Sequence, residues 1–330
     1  MKRHFVSIIV PCRNEKGYIK NFLESIVSQN YPKENLEVLI SDGMSDDGTR
    51  EIIKKYQKKY PFIKLLDNPK KYTPSALNIA VKESKGDIII RLDSHARYEK
   101  DYISKCVYYL NKYHADNVGG TMKTTPANNT LTAKSIALCM SHGFSVGNSY
   151  FRKGSAKPRS VDTVFGGCYR REVFNKIGFF NENLKRSQDL DFNIRLKKAG
   201  GKIILVPDMV SYYYPKATFK DFLKHNFEDG QWAILPLRFT KNLFSARHYV
   251  PLFFVSLIIF LFVASFFWYT MFFYFSLILG FYFLIILFNS FIITFKERDI
   301  RYLFSMPIAF IIRHFCYGFG SLVGIIKLLF

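Results

Sequence analysis

From Tyr249 to Phe295 the chain carries no Asp, Glu, Lys or Arg, and no other feature restricts its possible folds as strongly. As one helix that run would reach about 70 Å, against the roughly 30 Å hydrocarbon thickness of a bilayer. It is too long for one span and suits two spans of roughly 20 residues each, joined by a turn. A hairpin buried in a soluble core is the alternative, but such a hairpin would show a polar face, and none is visible here. The sequence therefore predicts two transmembrane helices over 249–295, arranged as a hairpin, preceded by an interfacial linker at 241–248. "KERDIR" follows, with Lys296, Arg298 and Arg301, and then a Gly-rich apolar stretch, 302–330, interrupted by Arg313 and His314. That stretch reads as a third transmembrane helix, or as a re-entrant or interfacial one. With the basic loops on the cytosolic side, the hairpin leaves and returns, and everything before it is cytosolic. The expectation is a multi-pass protein of the cytoplasmic (inner) membrane.

Residues 1–240 read differently, as a single α/β domain. "FVSIIVP", "LEVLIS", "DIIIRLD" and "KIILVPD" are short, rich in Ile and Val, and bounded by Pro, Gly, Asp or Asn, as buried strands are. Between the first three lie helical patterns. Tyr18–Gln29 places Ile19, Phe22, Leu23, Ile26 and Val27 at helical spacing, and Thr49–Tyr60 and Ser75–Ser84 follow. Alternating strands and helices predict a mostly parallel, Rossmann-like sheet whose ligands sit beyond the carboxyl ends of its strands. The residues at those ends are Pro11–Glu15, Asp42–Thr49 and Asp93–His95.

A formal net charge of +21 predicts an acidic partner: nucleic acid, anionic lipid or a phosphorylated substrate. Nucleic acid is disfavoured, because the aromatic residues cluster in the apolar last third rather than among the basic ones. The five cysteines form no CxxC pair, so neither a zinc site nor a disulfide framework is predicted, and a reducing, cytosolic setting fits.

Several short constellations could carry chemistry. Asp93 and His95, at positions i and i+2 where a strand leaves the sheet, could hold Mn²⁺ or Mg²⁺, or could be a turn cap and an exposed loop residue. "SDGMSDDGT" (Ser41–Thr49) suits a tight turn closing onto a helix N-terminus. It lacks the Gly-Lys-Ser/Thr of a Walker loop and the spacing of a dinucleotide site. Asp42, at the strand end, is a candidate to hydrogen-bond a nucleoside. Asp189 falls in the first turn of a predicted helix, either favoured there by the helix dipole or poised as a general base. Paired Gly166 and Gly167 permit close approach of a ligand to the backbone, or mark a turn. Gln231 and Trp232 could line a sugar site, or dock an amphipathic segment on the bilayer.

Taken in order, "VSIIVPCRNE", "VLISDGMSDDGT", "NPKKYTPSALNIAVKESKGDIIIRLDSHARY", "FGGCYRREVF" and "SQDLDFNIRL" resemble the family 2 glycosyltransferases of the GT-A fold, across most of residues 5–200. The Asp-x-His form and the membrane tail are most similar to the succinoglycan-biosynthesis type of polysaccharide glycosyltransferase. The resemblance implies a GT-A domain followed by transmembrane helices, and a nucleotide-sugar donor of the UDP type. Pro11, Asn14 and Glu15 would lie near the nucleoside, Asp42 on base or ribose, and Asn78 in the wall of the donor pocket. Asp93 would bind a divalent metal (Mn²⁺ or Mg²⁺) bridging the diphosphate, with His95 where the family has a second acid. Asp189 would be the base in an inverting transfer to a lipid-linked or polysaccharide acceptor, with Gly166, Gly167, Gln231 and Trp232 on the acceptor side. Gln188 stands where the family commonly has Glu, and no Gln-x-x-Arg-Trp element is present. Other polysaccharide-assembly proteins would be partners. The alternative expectation is a membrane-anchored GT-A scaffold that no longer catalyses.

Overall fold

The computed structural model describes residues 4–330, so the first three residues of the predicted 1–240 domain lie outside the described residues. The chain divides into two compact units. One comprises the chain up to Lys123 together with Tyr150–Tyr213; the other comprises Thr124–Ser149 with Tyr214–Phe330.

The first unit is built on one mixed sheet whose strands run β1 (Val6–Cys12), β2 (Leu36–Asp42), β3 (Ile63–Asp67), β4 (Ile88–Arg91), β5 (Ala96–Tyr98), β6 (Asn117–Thr124), β7 (Arg159–Ser160), β8 (Cys168–Arg170) and β9 (Ile203–Tyr213). Their spatial order is β3-β2-β1-β4-β8-β6-β9-β5, with β7 also on β9. β1 lies parallel to β2 and β4, and β2 parallel to β3, as strand–helix alternation predicts. β8 then pairs antiparallel with β4 and β6, and β5 and β7 antiparallel with β9. The parallel half ends where crossover helices end: the chain enters β8 from the Gly166–Gly167 turn, which demands no parallel return.

Successive residues of the central strands feed opposite faces. Ile8, Val10, Val38, Ile40, Ile88 and Ile90 join one core with Ile19, Phe22, Leu23 and Ile26 of the helix Ile19–Val27. Ile9, Leu39 and Ile89 face the other way, toward Leu77, Ala80 and Val81 of the helix Thr73–Glu83. Burial on both faces explains why these strands read as unbroken apolar runs.

A carboxylate is buried within this sheet. Glu37 on β2 is 3% exposed and accepts hydrogen bonds from the Ser7 hydroxyl at 2.7 Å, the Lys85 N–H at 2.6 Å and the Lys64 ammonium at 3.1 Å. Burial alone would push its carboxyl up, but those three donors together hold it below the ordinary glutamate value. A depressed native pKa contributes stability above the unfolded-state value, near 4.3, that is lost as pH falls through the native value. Glu37→Gln is therefore expected to cost about 1–3 kcal/mol at pH 7. In denaturant titrations at falling pH the gap to wild type should narrow below about pH 4; a gap independent of pH would contradict the assignment.

The second unit is helical. The run without charges divides at Ser265–Trp268 into Val250–Ala264, 15 residues, and Tyr269–Glu297, 29 residues. The expected pair of equal spans is thus replaced by one helix of about 22 Å, short of a bilayer core, and one of about 43 Å. Tyr269–Glu297 and Tyr302–Leu329 are long and apolar enough to cross a membrane. Tyr269–Glu297 exposes Phe273, Phe281, Leu284, Phe288, Phe291 and Phe295 around its circumference, which lipid solvates and water does not. Beside the turn, Phe266, Phe267, Trp268 and Tyr269 are all exposed, as aromatic residues are at a membrane–water boundary.

The boundary expected at residue 240 falls elsewhere because two earlier segments pack with the apolar helices. Ile136, Cys139 and Met140 of the helix Leu131–Ser141 share a core with Ile286, Met306 and Phe310. The helix Phe219–Ile234 meets Tyr317–Leu329 backbone to backbone. A Cβ on Gly230 would come within 2.0 Å of the Tyr317 carbonyl oxygen, and one on Gly320 within 2.1 Å of the Phe227 carbonyl oxygen. Small residues at such contacts are what let apolar helices approach.

Candidate active site

The parallel strands β1, β2 and β4 end together, and three loops leave them side by side. The register pairs Cys12 with Asp42 and Ile9 with Arg91. The first loop turns at Asn14, which adopts a left-handed φ of +53°, and is stitched to the second. The Asn14 N–H donates to Ser45 Oγ at 2.8 Å, the Glu15 N–H to Thr49 Oγ1 at 2.9 Å and the Lys16 N–H to Asp47 Oδ2 at 3.1 Å. Short polar side chains in "SDGMSDDGT" thus serve to lock one strand-end loop to its neighbour.

Asp42 is fully buried and anchors this arrangement. Its Oδ1 accepts from the Ser45 hydroxyl, and its Oδ2 from the Ser45 N–H at 2.9 Å and Arg50 Nη1 at 2.7 Å. Arg50 also reaches Asp67 at 2.6 Å. A nucleoside contacting Asp42 would therefore take over a hydrogen bond that Ser45 or Arg50 now makes. Pro11 is the penultimate residue of β1, and its carbonyl accepts from Ser94 Oγ at 3.3 Å.

The centre of the site is a residue the sequence reading left without a role. Arg91, the last residue of β4, is buried. Its Nη2 lies 3.3 Å from Asp93 Oδ1 and its Nη1 3.8 Å from Asp189 Oδ2. One guanidinium thus brings together two carboxylates that are far apart in sequence. Burial alone would lower its pKa, but Asp93 and Asp189 outweigh that and raise it, so Arg91 stays charged. Arg91 Nε and Nη1 are buried with no hydrogen-bond partner among the described residues. A charged residue closing the apolar run "DIIIR" was the signal, since an arginine on a strand buried on both faces needs anionic partners.

Asp93 is held by its backbone, whose N–H donates to the Tyr98 hydroxyl at 2.9 Å. Its Oδ2 makes no hydrogen bond within the described residues. Tyr98 is itself buried, and burial together with Asp93 keeps its phenol protonated well above the ordinary value. His95 goes elsewhere: its Nδ1 lies 3.2 Å from Glu15 Oε1 and its ring meets Tyr213 edge-on at 5.8 Å. Asp93 and His95 therefore have separate partners. Among the described residues no three His, Cys, Asp or Glu side chains converge into a metal cage.

Asp189 stands in the first turn of the helix Gln188–Lys198, with its side chain 32% exposed and its Oδ1 accepting from the Leu190 N–H at 3.0 Å. Ser187 before it is left-handed, at φ +61°. Gln188 is buried, and its Oε1 has no partner among the described residues. Gly166 and Gly167 close the floor: the Arg91 N–H donates to the Gly167 carbonyl at 2.9 Å, and a Cβ on Gly166 would lie 2.8 Å from the Arg91 carbonyl oxygen. Both have positive φ, +68° and +115°, so glycine is required by conformation as well as by space. Asn78 is a brace: it donates to the Phe180 carbonyl at 2.9 Å and to Glu182 at 3.1 Å, and accepts from the Phe180 N–H at 3.0 Å. Gln231 and Trp232 lie in the other unit, on the helix Phe219–Ile234, where Gln231 Oε1 accepts from the Lys327 ammonium at 2.9 Å.

The model of a family described as glycosyl transferase family 2 matches residues 7–178. Over 334 residues the chain is 29% identical to a dolichyl N-acetyl-alpha-D-glucosaminyl phosphate 3-beta-D-2,3-diacetamido-2,3-dideoxy-beta-D-glucuronosyltransferase of Methanococcus voltae, covering 98% of each chain. It is 31% identical to the succinoglycan biosynthesis protein ExoA of Rhizobium meliloti, over 72% of this chain and 76% of that one. Among solved structures, the mannosyltransferase PcManGT of Pyrobaculum calidifontis, in complex with GDP-Man and Mn²⁺, superposes with a TM-score of 0.56. That likeness covers 76% of this chain and 68% of that one at 20% identity, and speaks for the fold.

Proposed function

Because the chain belongs to glycosyl transferase family 2 and has the GT-A fold, we propose that it transfers a sugar from a UDP-sugar to a lipid-linked acceptor, with inversion at the anomeric carbon. The observation that carries this reading is the pair of carboxylates, Asp93 and Asp189, held around Arg91 at the carboxyl ends of the parallel strands. Full-length similarity to an enzyme named for a dolichyl phosphate-linked sugar supports the acceptor class. Similarity to a succinoglycan biosynthesis protein keeps a polysaccharide acceptor as the near variant.

The transfer forms a bond from an acceptor hydroxyl oxygen to the anomeric carbon and breaks the bond from that carbon to the diphosphate. The electron pair leaves with the diphosphate, and the hydroxyl proton goes to the Asp189 carboxylate. Asp189 is open enough to meet an acceptor, with Arg91 Nη1 3.8 Å from its Oδ2. Attack from the face opposite the leaving group inverts the configuration without a covalent intermediate.

A carboxylate with one oxygen free of hydrogen bonds suits a divalent cation such as Mg²⁺ or Mn²⁺, which takes oxygen ligands. Asp93, with Oδ2 available, would hold it; His95, turned to Glu15, would be the second candidate. When bound, such a cation supplies positive charge to the departing diphosphate. Pro11, Asn14, Glu15 and Asp42 surround the nucleoside, Asn78 supports the donor side through Phe180, and Gly166 and Gly167 keep the floor open to the acceptor. Gln231 and Trp232, on the helix Phe219–Ile234, are proposed as acceptor contacts. Membrane association follows from the two long apolar helices. The GT-A unit faces the cytosol, where nucleotide sugars are made, and the apolar helices cross the membrane more than once.

The test is product stereochemistry. Detergent-solubilised full-length protein is incubated with a panel of nucleotide sugars and a prenyl-phosphate-linked sugar, and the product's anomeric configuration is read by NMR. One donor is expected to be consumed, giving a linkage of configuration opposite to the donor's; retention would refute the single-displacement reading.

A further inference from the structure

The helix Tyr302–Leu329 carries one arginine in its interior, Arg313, within a π-helical turn at Ile312–Cys316. Such turns widen a helix locally and recur at functional sites. Arg313 has no acidic partner among the described residues. Its Nη1 donates to Asn226 Oδ1 at 2.6 Å, and the guanidinium lies 5.1 Å from the centre of the Tyr317 ring. Asn226 is fully buried, and its own amide donates to the Phe222 carbonyl at 2.7 Å, which fixes Oδ1 toward the arginine. One neutral amide and one ring leave a permanent charge in an apolar helix uncompensated.

More positive charge gathers around Tyr317. Its hydroxyl lies 3.1 Å from His248 Nδ1, and the adjacent Arg247 donates to Asn148 Oδ1 at 3.3 Å. Both stand in the single turn Ala246–His248, immediately before the apolar helix Val250–Ala264, at the expected level of the headgroups. Asp229 also acts on Tyr317, and its Oδ2 lies 3.3 Å from His225 Nε2. A guanidinium fork with vacant N–H donors, flanked by a second arginine and a histidine, matches a phosphate group.

We propose that Arg313, with Arg247 and His248 beside it, binds the phosphate of the lipid-linked acceptor. The inference rests on the reading that the acceptor is lipid-linked. It names the chemistry that would hold that acceptor in the helical unit: a phosphate ester of a long apolar alcohol, its tail lying along the exposed apolar helices.

The test is direct binding to the full-length protein in detergent, with farnesyl phosphate as probe and farnesol as its uncharged control. Wild type is expected to bind the phosphate about ten-fold or more tightly than the alcohol, the value of a charge-assisted hydrogen bond. Arg313→Gln is expected to abolish that preference. Should Arg313→Gln fail to fold, Arg313→Lys decides: the preference should be weakened several-fold, and an undiminished one overturns the proposal. An unchanged preference in Arg313→Gln overturns it too. So does displacement of the probe by equal concentrations of inorganic phosphate or phosphatidylglycerol, which would mark a general anion or phospholipid contact. Nucleotide release by wild type is read in parallel. Release without a phosphate preference sinks this inference alone; a phosphate preference without release from any donor leaves the binding site standing and sinks the transfer reading.

Discussion

Asp189→Asn is expected to lower the turnover number for sugar transfer by about 10²–10⁴-fold while leaving the dissociation constant of the nucleotide diphosphate within about two-fold. The substitution is close to isosteric, and an asparagine oxygen can still accept from the Leu190 N–H, so the start of the helix Gln188–Lys198 should hold. What disappears is the group proposed to take the acceptor proton. A fall of less than ten-fold would place the base elsewhere.

Arg91→Met has the larger structural effect. Removing the cation from a buried pair leaves carboxylates whose desolvation is no longer offset, at about 3–5 kcal/mol. Denaturant unfolding, followed by hydrogen exchange of the backbone amides of the first unit's strands, should show that loss at neutral pH. Because Arg91 touches both Asp93 and Asp189, its effect should depend on them. In the double variant Arg91→Met with Asp189→Asn, the cost should fall short of the sum by about 0.5–3 kcal/mol, as expected for groups that interact. Additive costs would mean that the contact in the structure carries no energy. Transfer should fall together with stability, since the same guanidinium spaces the two carboxylates.

What could be read from the residues follows from how local the underlying physics is. Unbroken runs such as "VSIIV" and "DIII" identify strands covered on both faces, and the helices between them fix the parallel half of the sheet. Strand ends then point to Asp42, Asp93 and the Asn14 turn without further information. The antiparallel half is less legible: β8 is three residues long, and its direction is set by partners distant in sequence. Arg91 was visible as an arginine on an apolar strand, but its role depends on Asp189, nearly a hundred positions later. Neither residue alone indicates the other. The helical unit shows the same limit. Absence of charge marks Tyr249–Phe295 as apolar, yet says nothing of where the turn falls. The recruitment of Leu131–Ser141 and Phe219–Ile234 rests on glycine contacts and apolar faces that only packing reveals.

The central claim is that Asp93 and Asp189 serve one reaction, displacement of a nucleotide diphosphate from a sugar. The measurement that tests it most directly is nucleotide diphosphate release by the full-length protein, with its preferred donor and a lipid-linked acceptor, in Mn²⁺ or Mg²⁺ and again in EDTA. Wild type, Asp93→Asn and Asp189→Asn are compared. The account predicts release in wild type that EDTA removes and added metal restores. In Asp93→Asn release should be lost, with the metal concentration needed for any residual activity raised. In Asp189→Asn it should be lost at unchanged metal requirement. Release that is indifferent to both substitutions would contradict the account.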